Sequence, residues 1–310
     1  MAQDSPTVLA IDAGQTGVRV RLERSGVRGE AHEFAGVRTA EPLSSQLAQC
    51  ALEVLRAEGV DPAGVAVAIG TSGVDNVERL ADDLLGAFSA QGPAPRSLAV
   101  AHDSVSSYLG ALGETPGVVV AAGTGSIIYG VGESATARVD GWGYLMGDDG
   151  SGFSIGARGW RAVMRAHDGR GPSTALLEDF AQDFDDLEGA YVKIQADPDR
   201  VRRMASYSRR VTAHAMSDAV AREIAEWAGT ELAQSVAVAA GRVGLTGAVP
   251  VARLGRVLTD ATVDAAFETT LALRLPDAVL TEPAGTGLDG AALLPFLGER
   301  SALRAAAAYR

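Results

Sequence analysis

Short apolar runs and alternating segments dominate the first hundred residues. Residues 7–11 are apolar and end at Asp12, and residues 18–23 alternate apolar and charged side chains. An alternation of period two is typical of a half-buried strand. After a turn at Ser25-Gly26, further elements are predicted from the same patterns: strands over 28–34, 65–69 and 97–101, and helices over 44–58 and 76–90. The opening of the chain is therefore predicted to be βββαβαβ.

A second copy of the opening pattern follows a helix that begins near Ser104. Residues 118–122 are apolar, Gly123-Thr124-Gly125-Ser126 forms a turn, and residues 127–131 are apolar again. A strand is predicted beyond them, over 135–139. Two copies of strand, glycine turn and strand, a little over 100 residues apart, indicate a structural duplication. At 310 residues the chain is also long enough for two domains with a cleft between them.

The remaining sequence is predicted to extend the second domain. Residues 157–240 show helical periodicity, and further elements are predicted as strands over 249–254 and 278–280 and a helix over 288–297. An alanine-rich tail, 298–310, is predicted to be a helix that packs back on the first domain. We therefore expect an N-terminal domain over 1–105 and a C-terminal domain with a helical insertion over 106–297.

Composition narrows the classes of function. The net charge of −12 and the pI near 4.8 disfavour nucleic acid and anionic membrane surfaces as partners. Cys50 is the only cysteine, so no intrachain disulfide forms. The first residues lack the basic and apolar pattern of a signal peptide, and no apolar run reaches the ~20 residues of a spanning helix. These observations predict a cytoplasmic protein.

The chemistry is expected at the two glycine turns. A strand that ends in Asp12 and continues into a turn containing Gly14 and Thr16 brings backbone N–H groups to phosphate oxygens, while the carboxylate binds hydrated Mg²⁺. For this turn alone, an ordinary hairpin with an Asx turn is an equal alternative. The matching turn at Gly123–Ser126 favours a phosphate site. Lys193 is the only lysine, so backbone N–H groups, arginines or a metal ion must bind the phosphates.

One segment is far more specific than these turns. Residues 140–152 read DGWGYLMGDDGSG, which resembles the G-G-W-G-x-x-x-G-D-E-G-S segment of the N-acetylglucosamine kinase and BadF/BadG-type ATPase branch of the actin/hexokinase/Hsp70 superfamily. The resemblance covers nearly the whole chain. It implies an α/β fold of two ribonuclease H-like domains flanking an interdomain cleft, ATP and Mg²⁺ as cofactors, an amino-sugar substrate and a homodimer.

The resemblance also implies a role for individual residues. Asp103, after the strand over 97–101, matches the family's general base, although capping of the helix that follows is an alternative for it. Asp12 is the implied metal ligand. The implied cofactor-binding residues are Asp12, Gly14, Gln15, Thr16, Gly123, Thr124, Gly125, Gly285 and Gly287. The implied substrate-binding residues are Ser72, Asp103, Thr124, Trp142, Gly143, Asp148 and Asp149.

Several positions depart from the family pattern. Ala13 and Gln15 stand in the first turn where glycines are common, and Arg256 stands in the second domain where a glycine is expected. The segment that contains Gly285 and Gly287 also matches the dinucleotide fingerprint G-x-G-x-x-G. Only 20 residues follow Gly290, too few for the rest of a dinucleotide-binding unit, so a Rossmann reading is rejected.

Three functions are compared. The first is an ATP-dependent kinase that phosphorylates N-acetylglucosamine or glucosamine at the 6-hydroxyl, with N-acetylmuramic acid or another hexose as alternative acceptors. The second, an activator of a radical dehydratase, requires two cysteines per subunit for an iron–sulfur cluster and is excluded by the single Cys50. The third is a non-catalytic sugar or nucleotide sensor of the same fold. Retention of Asp12, Asp103 and Asp148 favours the kinase.

Overall fold

The computed structural model describes residues 7–14, 16–38 and 41–310. The strands are β1 Thr7–Gly14, β2 Gly17–Arg24, β3 Val27–Phe34, β4 Val65–Thr71, β5 Ser97–His102, β6 Gly117–Ala122, β7 Ser126–Val131, β8 Thr136–Val139, β9 Val249–Leu254, β10 Ala278–Thr281 and β11 Ala307–Tyr309. The helices are α1 Leu43–Ala57, α2 Val77–Ser89, α3 Asp103–Leu112, α4 Gly152–His167, α5 Leu176–Ala181, α6 Ala190–Ala196, α7 Arg200–Ser206, α8 Ser208–His214, α9 Ala219–Arg242, α10 Ala261–Arg274 and α11 Gly287–Leu293.

The chain divides into two compact units. The first contains the described residues up to Pro116 together with Val131–Thr136 and Glu282–Arg310, and the second contains Gly117–Gly130 and Ala137–Thr281. The sequence predicted a division at residue 105 and a return of the chain after residue 297. The observed division is later at the first point, because α3 belongs to the first unit, and earlier at the second, because α11 packs on α3 and β1.

The first unit is built on a six-stranded sheet in the order β11-β5-β4-β1-β2-β3. Strands β1, β4 and β5 are parallel neighbours, and every residue of β4 is buried, as expected for a central strand covered on both faces. Strands β2 and β3 add an antiparallel meander beyond β1. The parallel arrangement places the carboxyl ends of β1, β4 and β5 along one edge of the sheet.

Helices α3 and α11 lie against each other at a very short distance. A Cβ atom on Gly110 would lie 1.9 Å from the carbonyl oxygen of Thr286, and one on Gly290 would lie 1.8 Å from that of Ser106. Only glycine permits backbones to approach so closely. This contact ties α11 to the helix that follows β5.

The second unit has a five-stranded sheet in the order β10-β9-β6-β7-β8 and the helices α4 to α10. Its core includes the buried alanine-rich face of α9 and an aromatic cluster formed by Trp160, Phe180, Phe184 and Tyr207. The predicted helical region over 157–240 is therefore present, divided into six helices, α4 to α9, the first of which begins at Gly152. In the described part of the chain, no helix combines the length and the apolar character needed to cross a membrane.

The predicted C-terminal helix over 298–310 is wrong. The segment forms a single 3₁₀ turn over Arg304–Ala306 and then strand β11, which pairs antiparallel with β5. Its alanines favour a helix locally. Pairing with the open edge of β5 and burial of Ala308 outweigh that preference.

Candidate functional site

Four polar residues of the first unit stand at the carboxyl edge of its sheet. In the register of the parallel strands, Asp12 of β1 pairs with Gly70, and Thr71 of β4 pairs with His102 of β5. Asp103 follows His102 directly as the first residue of α3. Two of the residues predicted from sequence, Asp12 and Asp103, are thus brought together by the strand order.

Asp12 lies in a largely buried position with one positive partner. The guanidinium of Arg19, on the paired strand β2, donates to Asp12 Oδ2. Burial raises the pKa of the Asp12 carboxyl, the charge of Asp103 raises it further, and Arg19 opposes both effects. Because two carboxylates repel each other, a cation beside them stabilises the ionised pair. Asp12 is therefore suited to bind a metal ion.

Asp103 does not cap its helix. The cap of α3 is His102, whose Nδ1 accepts the backbone N–H of Ser104 at 3.2 Å. The same Nδ1 lies 2.8 Å from Asp103 Oδ1. The capping alternative for Asp103 is therefore not what the structure shows, and its carboxylate is about a third exposed with His102 as its neighbour.

The neighbouring loop residues frame this edge. Ser72 donates its backbone N–H to the carbonyl of Ala13 at 2.9 Å, and its hydroxyl is buried with no hydrogen-bond partner in the described part of the chain. Gly14 ends β1 and its carbonyl accepts the N–H of Val37, while Thr16 is exposed in the turn. Gln15, the predicted phosphate contact of this turn, lies outside the described residues. An unpartnered buried hydroxyl is a candidate contact for a polar ligand.

Gly285 and Gly287 lie in the first unit, next to the residues just described. A Cβ on Gly287 would lie 3.1 Å from Asp12 Oδ1, and one on Gly285 would lie 2.8 Å from Asp289 Oδ2. The resemblance implied an adenosine pocket here. That role stays a prediction, and the contact of Gly287 is with the carboxylate predicted to bind metal.

The second glycine turn stands against the start of α4 in the second unit. The carbonyls of Gly123 and Thr124 accept the N–H groups of Gly152 and Phe153 at 2.8 and 3.0 Å. Ser126 donates its hydroxyl to the carbonyl of Asp149 at 3.0 Å. These bonds fix the turn and leave Thr124 exposed.

The Asp148 loop is adjacent to this turn. A Cβ on Gly125 would lie 2.7 Å from Asp148 Oδ2, so a side chain at position 125 would displace this carboxylate from the turn. Asp148 Oδ1 accepts the N–H of Gly143 at 3.1 Å. Burial raises the pKa of Asp148, while the Gly143 N–H partly offsets the effect. Of the predicted sugar ligands, Asp148 lies beside the predicted phosphate ligand Gly125, and Gly143 bonds to Asp148.

Asp140 holds the loop in place and was not singled out by sequence reasoning. Its two carboxylate oxygens accept the backbone N–H groups of Asp148 and Asp149, each at 2.8 Å. Asp140 adopts a φ of 57° and Asp148 one of 60°, both in the left-handed region. The family has glycine at position 140, so the departure itself was the available signal.

Trp142 is more than half exposed. The guanidinium of Arg138 lies 4.3 Å from the centre of its ring, which is a cation–π contact. Arg138 also donates to the carbonyls of Asp140 and Gly141. The stacking role predicted for Trp142 stays a prediction, and the ring is held by this arginine.

A cavity of about 540 Å³ opens beside the second glycine turn. It is lined by Gly123 and Thr124 and by the arginines Arg202, Arg209 and Arg256. Arg202 pairs with Asp199, whereas Arg209 and Arg256 have no carboxylate partner among the described residues. Free guanidinium groups beside a glycine turn favour a phosphate-bearing ligand. Arg209 was missed because helical periodicity alone does not show which cavity a residue lines.

Among the described residues, no cluster of three His, Cys, Asp or Glu side chains could hold a metal ion. Mg²⁺ commonly takes only one or two carboxylates and completes its shell with water and substrate phosphates. Asp12 alone therefore fits the predicted role, and the rest of the shell would come from the nucleotide and solvent.

Two curated proteins are similar to this chain in sequence. A curated relative, the N-acetylmuramic acid/N-acetylglucosamine kinase of Clostridium acetobutylicum, is 27% identical over 249 residues, which are 74% of this chain and 78% of that protein. The N-acetyl-D-glucosamine kinase of Dictyostelium discoideum is 44% identical over 70 residues, 22% of each chain.

Solved structures match the predicted α/β class. A protein from Chromobacterium violaceum, provisionally assigned as an N-acetylglucosamine kinase, has a TM-score of 0.74 at 26% identity, covering 94% of this chain and 99% of that one. The glucose-bound hexokinase of Schistosoma mansoni shares only the fold, with a TM-score of 0.59 at 13% identity, covering 93% of this chain and 85% of that one. The predicted fold class is confirmed.

The match to a family model is equally broad. The model of the BadF/BadG/BcrA/BcrD ATPase family covers residues 10–295, which include Asp12, Asp103, the second glycine turn and the Asp148 loop. The chain belongs to the BadF/BadG/BcrA/BcrD ATPase family.

Proposed function

We propose that this protein is an ATP-dependent amino-sugar kinase that phosphorylates N-acetylglucosamine or glucosamine at the 6-hydroxyl. The names of the two curated relatives support the class of acceptor. The observation that carries the proposal is the state of Asp103, whose carboxylate is not used to cap α3 and stands near Asp12 at the carboxyl edge of the sheet.

Each residue has a defined part in this proposal. Asp103 accepts the proton of the attacking sugar hydroxyl. Asp12 holds the Mg²⁺ ion, which neutralises charge on the transferred phosphate. The backbone of Gly123–Gly125 and the guanidinium groups of Arg209 and Arg256 bind nucleotide phosphates.

Asp148 supplies the acceptors for the sugar hydroxyls. Its carboxylate accepts the backbone N–H of Gly143 at 3.1 Å and interacts with the backbone N–H of Ser126, which leaves further lone pairs on its two oxygens. A carboxylate with unused acceptor capacity in a half-buried loop favours hydrogen bonds from a polyol. Asp149 and Trp142 complete this proposed sugar contact.

The central test is phosphotransfer from Mg·ATP to a panel of glucosamine, N-acetylglucosamine, N-acetylmuramic acid, N-acetylmannosamine and glucose. We expect turnover on glucosamine or N-acetylglucosamine and loss of kcat by about 10³-fold in Asp103→Asn, since general base catalysis contributes that order of rate. Asp83→Asn, the same change at an exposed position of α2, is the control and should retain the wild-type rate. Sugar binding to Asp103→Asn, measured by calorimetry, should persist.

The alternative function, a non-catalytic sensor, predicts binding without turnover. A non-catalytic protein would bind sugar or nucleotide in the same titrations but turn over none of the panel. A near-normal rate in Asp103→Asn would remove Asp103 as the base, and absence of both turnover and nucleotide binding would overturn the kinase proposal.

A further inference from the structure

A basic groove runs between helices α4 and α9, outside the residues assigned above to sugar or nucleotide. It is formed by Arg158, Arg161 and Arg165 of α4 and Trp227 of α9, and its cavity has a volume of about 350 Å³. The arginines follow one another at helical spacings of three and four residues, so they share one face of α4.

The charge of this groove is unusual for so acidic a protein. The net charge of the chain is −12. Elsewhere in the structure, a paired carboxylate neutralises arginines such as Arg21, Arg203, Arg210 and Arg253. In the described part of the chain, no carboxylate pairs with Arg158, Arg161 or Arg165, although Glu223 also lines the cavity. Within the groove the three guanidinium groups stand against Glu223, while Glu231 beside Trp227 and Asp149 in the adjoining cavity lie at its margins.

The arginines are partly ordered before any ligand arrives. The guanidinium of Arg158 lies 3.4 Å from the centre of the Trp227 ring, and Trp227 Nε1 donates to Glu231 at 3.0 Å. Arg165 donates to the backbone carbonyl of Arg170 at 2.9 Å. Stacking and hydrogen bonding reduce the side-chain entropy that a ligand would otherwise have to remove. Such a preordered set of guanidinium forks fits the oxygens of a phosphate.

A second, smaller cavity extends the groove toward the Asp148 loop. This cavity of about 270 Å³ is also lined by Arg158, Arg161 and Trp227, and it reaches Gly147 and Asp149. A ligand in the groove would therefore contact arginines that also stand beside the loop held by Asp140. This continuity gives an occupant a physical route to alter sugar binding.

We propose that the basic groove binds a phosphate-bearing small molecule at a site distinct from the cavity beside the second glycine turn. The ligand is an anion whose phosphate oxygens accept hydrogen bonds from the arginines that no carboxylate pairs with among the described residues. Free inorganic phosphate and a sugar phosphate share this chemistry, and titration with each distinguishes them.

The test is calorimetric titration of the full chain with inorganic phosphate and with glucosamine 6-phosphate at constant ionic strength. We expect Arg161→Ala to weaken binding at least tenfold, because one charge-assisted hydrogen bond is worth about that much. Arg274→Ala removes the same charge from an exposed position on α10 and should leave the Kd unchanged. Glucosamine 6-phosphate is also the product of the proposed reaction, so only the binding that Arg161→Ala weakens is assigned to the groove. If that component is tighter for the sugar phosphate than for phosphate, an ester is the ligand, and if it is equal, free phosphate is.

Fluorescence locates the ligand independently. Binding should change the emission of wild-type protein, and Trp227→Phe should abolish this change while retaining the calorimetric affinity. The proposal is overturned if neither compound binds, if Arg161→Ala binds like wild type, or if Arg256→Ala weakens binding and Arg161→Ala does not. None of these readouts requires kinase activity, so failure here and failure of the proposed function are separate results.

Discussion

Asp140 shows how one departure from a family pattern alters a loop. A glycine would adopt its positive φ without strain, whereas an aspartate adopts it at a cost of about 1 kcal/mol and supplies two acceptors in return. Those acceptors hold the N–H groups of Asp148 and Asp149. Asp140 is therefore a positioning residue for the proposed sugar ligand, acting through the backbone.

Substitution of Asp140 separates strain from hydrogen bonding. Asp140→Gly removes both acceptor oxygens and also relieves the backbone strain. Asp140→Ala removes both acceptor oxygens but keeps the strain. We expect both variants to raise the KM for sugar about tenfold, since two N–H groups lose a charged acceptor, with kcat changed less. Asp140→Asn keeps one acceptor oxygen, so its KM for sugar should lie between that of the wild type and those of the other two variants. Steady-state kinetics measures this split, and a wild-type KM in Asp140→Gly would contradict the role.

The ionised carboxylate of Asp148 lowers the stability of the folded protein and is expected to strengthen sugar binding. Burial raises its pKa in the folded protein, so the ionised carboxylate opposes folding above that pKa, and this cost disappears as the pH falls below it. Asp148→Asn should therefore raise the Tm at neutral pH, and the gain should vanish at acidic pH.

The same substitution, Asp148→Asn, should weaken sugar binding. We expect kcat/KM for the sugar to fall at least tenfold at pH 7, the order of one charged hydrogen bond. The ratio of wild type to variant should shrink toward acidic pH, because a proton then neutralises Asp148 in the wild type. Paired melting curves and pH profiles check both signs, and Asp83→Asn, the same change at an exposed position of α2, is the comparison variant.

At the scale of elements, α11 is fixed by a partly buried ion pair. Asp289 accepts from Arg21 of β2 at 2.9 Å and from the N–H and hydroxyl of Thr286 at 2.7 and 2.8 Å, which completes a capping box. Burial alone would raise the pKa of Asp289, but the Thr286 bonds and Arg21 lower it to about 2. The pair keeps Gly287 against Asp12.

Asp289→Ala should destabilise the protein by about 2 kcal/mol, because it removes the cap of α11 and one of the two carboxylates that pair with Arg21, while Glu23 remains. Glu58→Ala, which breaks the exposed Arg24–Glu58 pair, should cost under about 1 kcal/mol. Since the folded pKa of Asp289 lies below the unfolded value of 3.8, its contribution is complete above that value and is lost as pH falls toward 2. Urea unfolding measures the difference between the variants, and equal losses would refute the argument.

The elements themselves were predicted well where the signal is local. The strands at Asp12 and at Gly123 have apolar runs that end in glycine turns, and both are present with ends within three residues of those predicted. The C-terminal tail was predicted wrongly because strand β11 depends on β5, a partner about 200 residues earlier in the chain. His102 and Arg209 were missed for the same reason, since a cap contact and a cavity wall are tertiary features.

At the scale of the whole molecule, the edge strand β11 closes one side of the first sheet. Arg310 extends it, with ion pairs to Glu78 and Asp82 of α2 and a backbone exchange with Leu98. Deletion of 307–310 would expose the edge of β5, and an exposed edge strand promotes aggregation. We expect the truncated protein to aggregate on mild heating, as measured by light scattering.

Arg310→Ala serves as the control for this deletion, because it removes the ion pairs and leaves the strand. It should lower the Tm by a few degrees at most and remain free of aggregates. If the Arg310→Ala protein aggregates as readily as the truncated protein, the ion pairs of Arg310, and not strand β11, protect the edge of β5.

The division of the chain also has a consequence for its biosynthesis. Nearly all of the second unit lies between residues 117 and 281, while the first unit requires α11 and β11 from residues 282–310. Domains generally fold as units, and usually in order of emergence from the ribosome. We therefore expect the second unit to fold first, because its last residue precedes α11, the helix that places Gly287 beside Asp12.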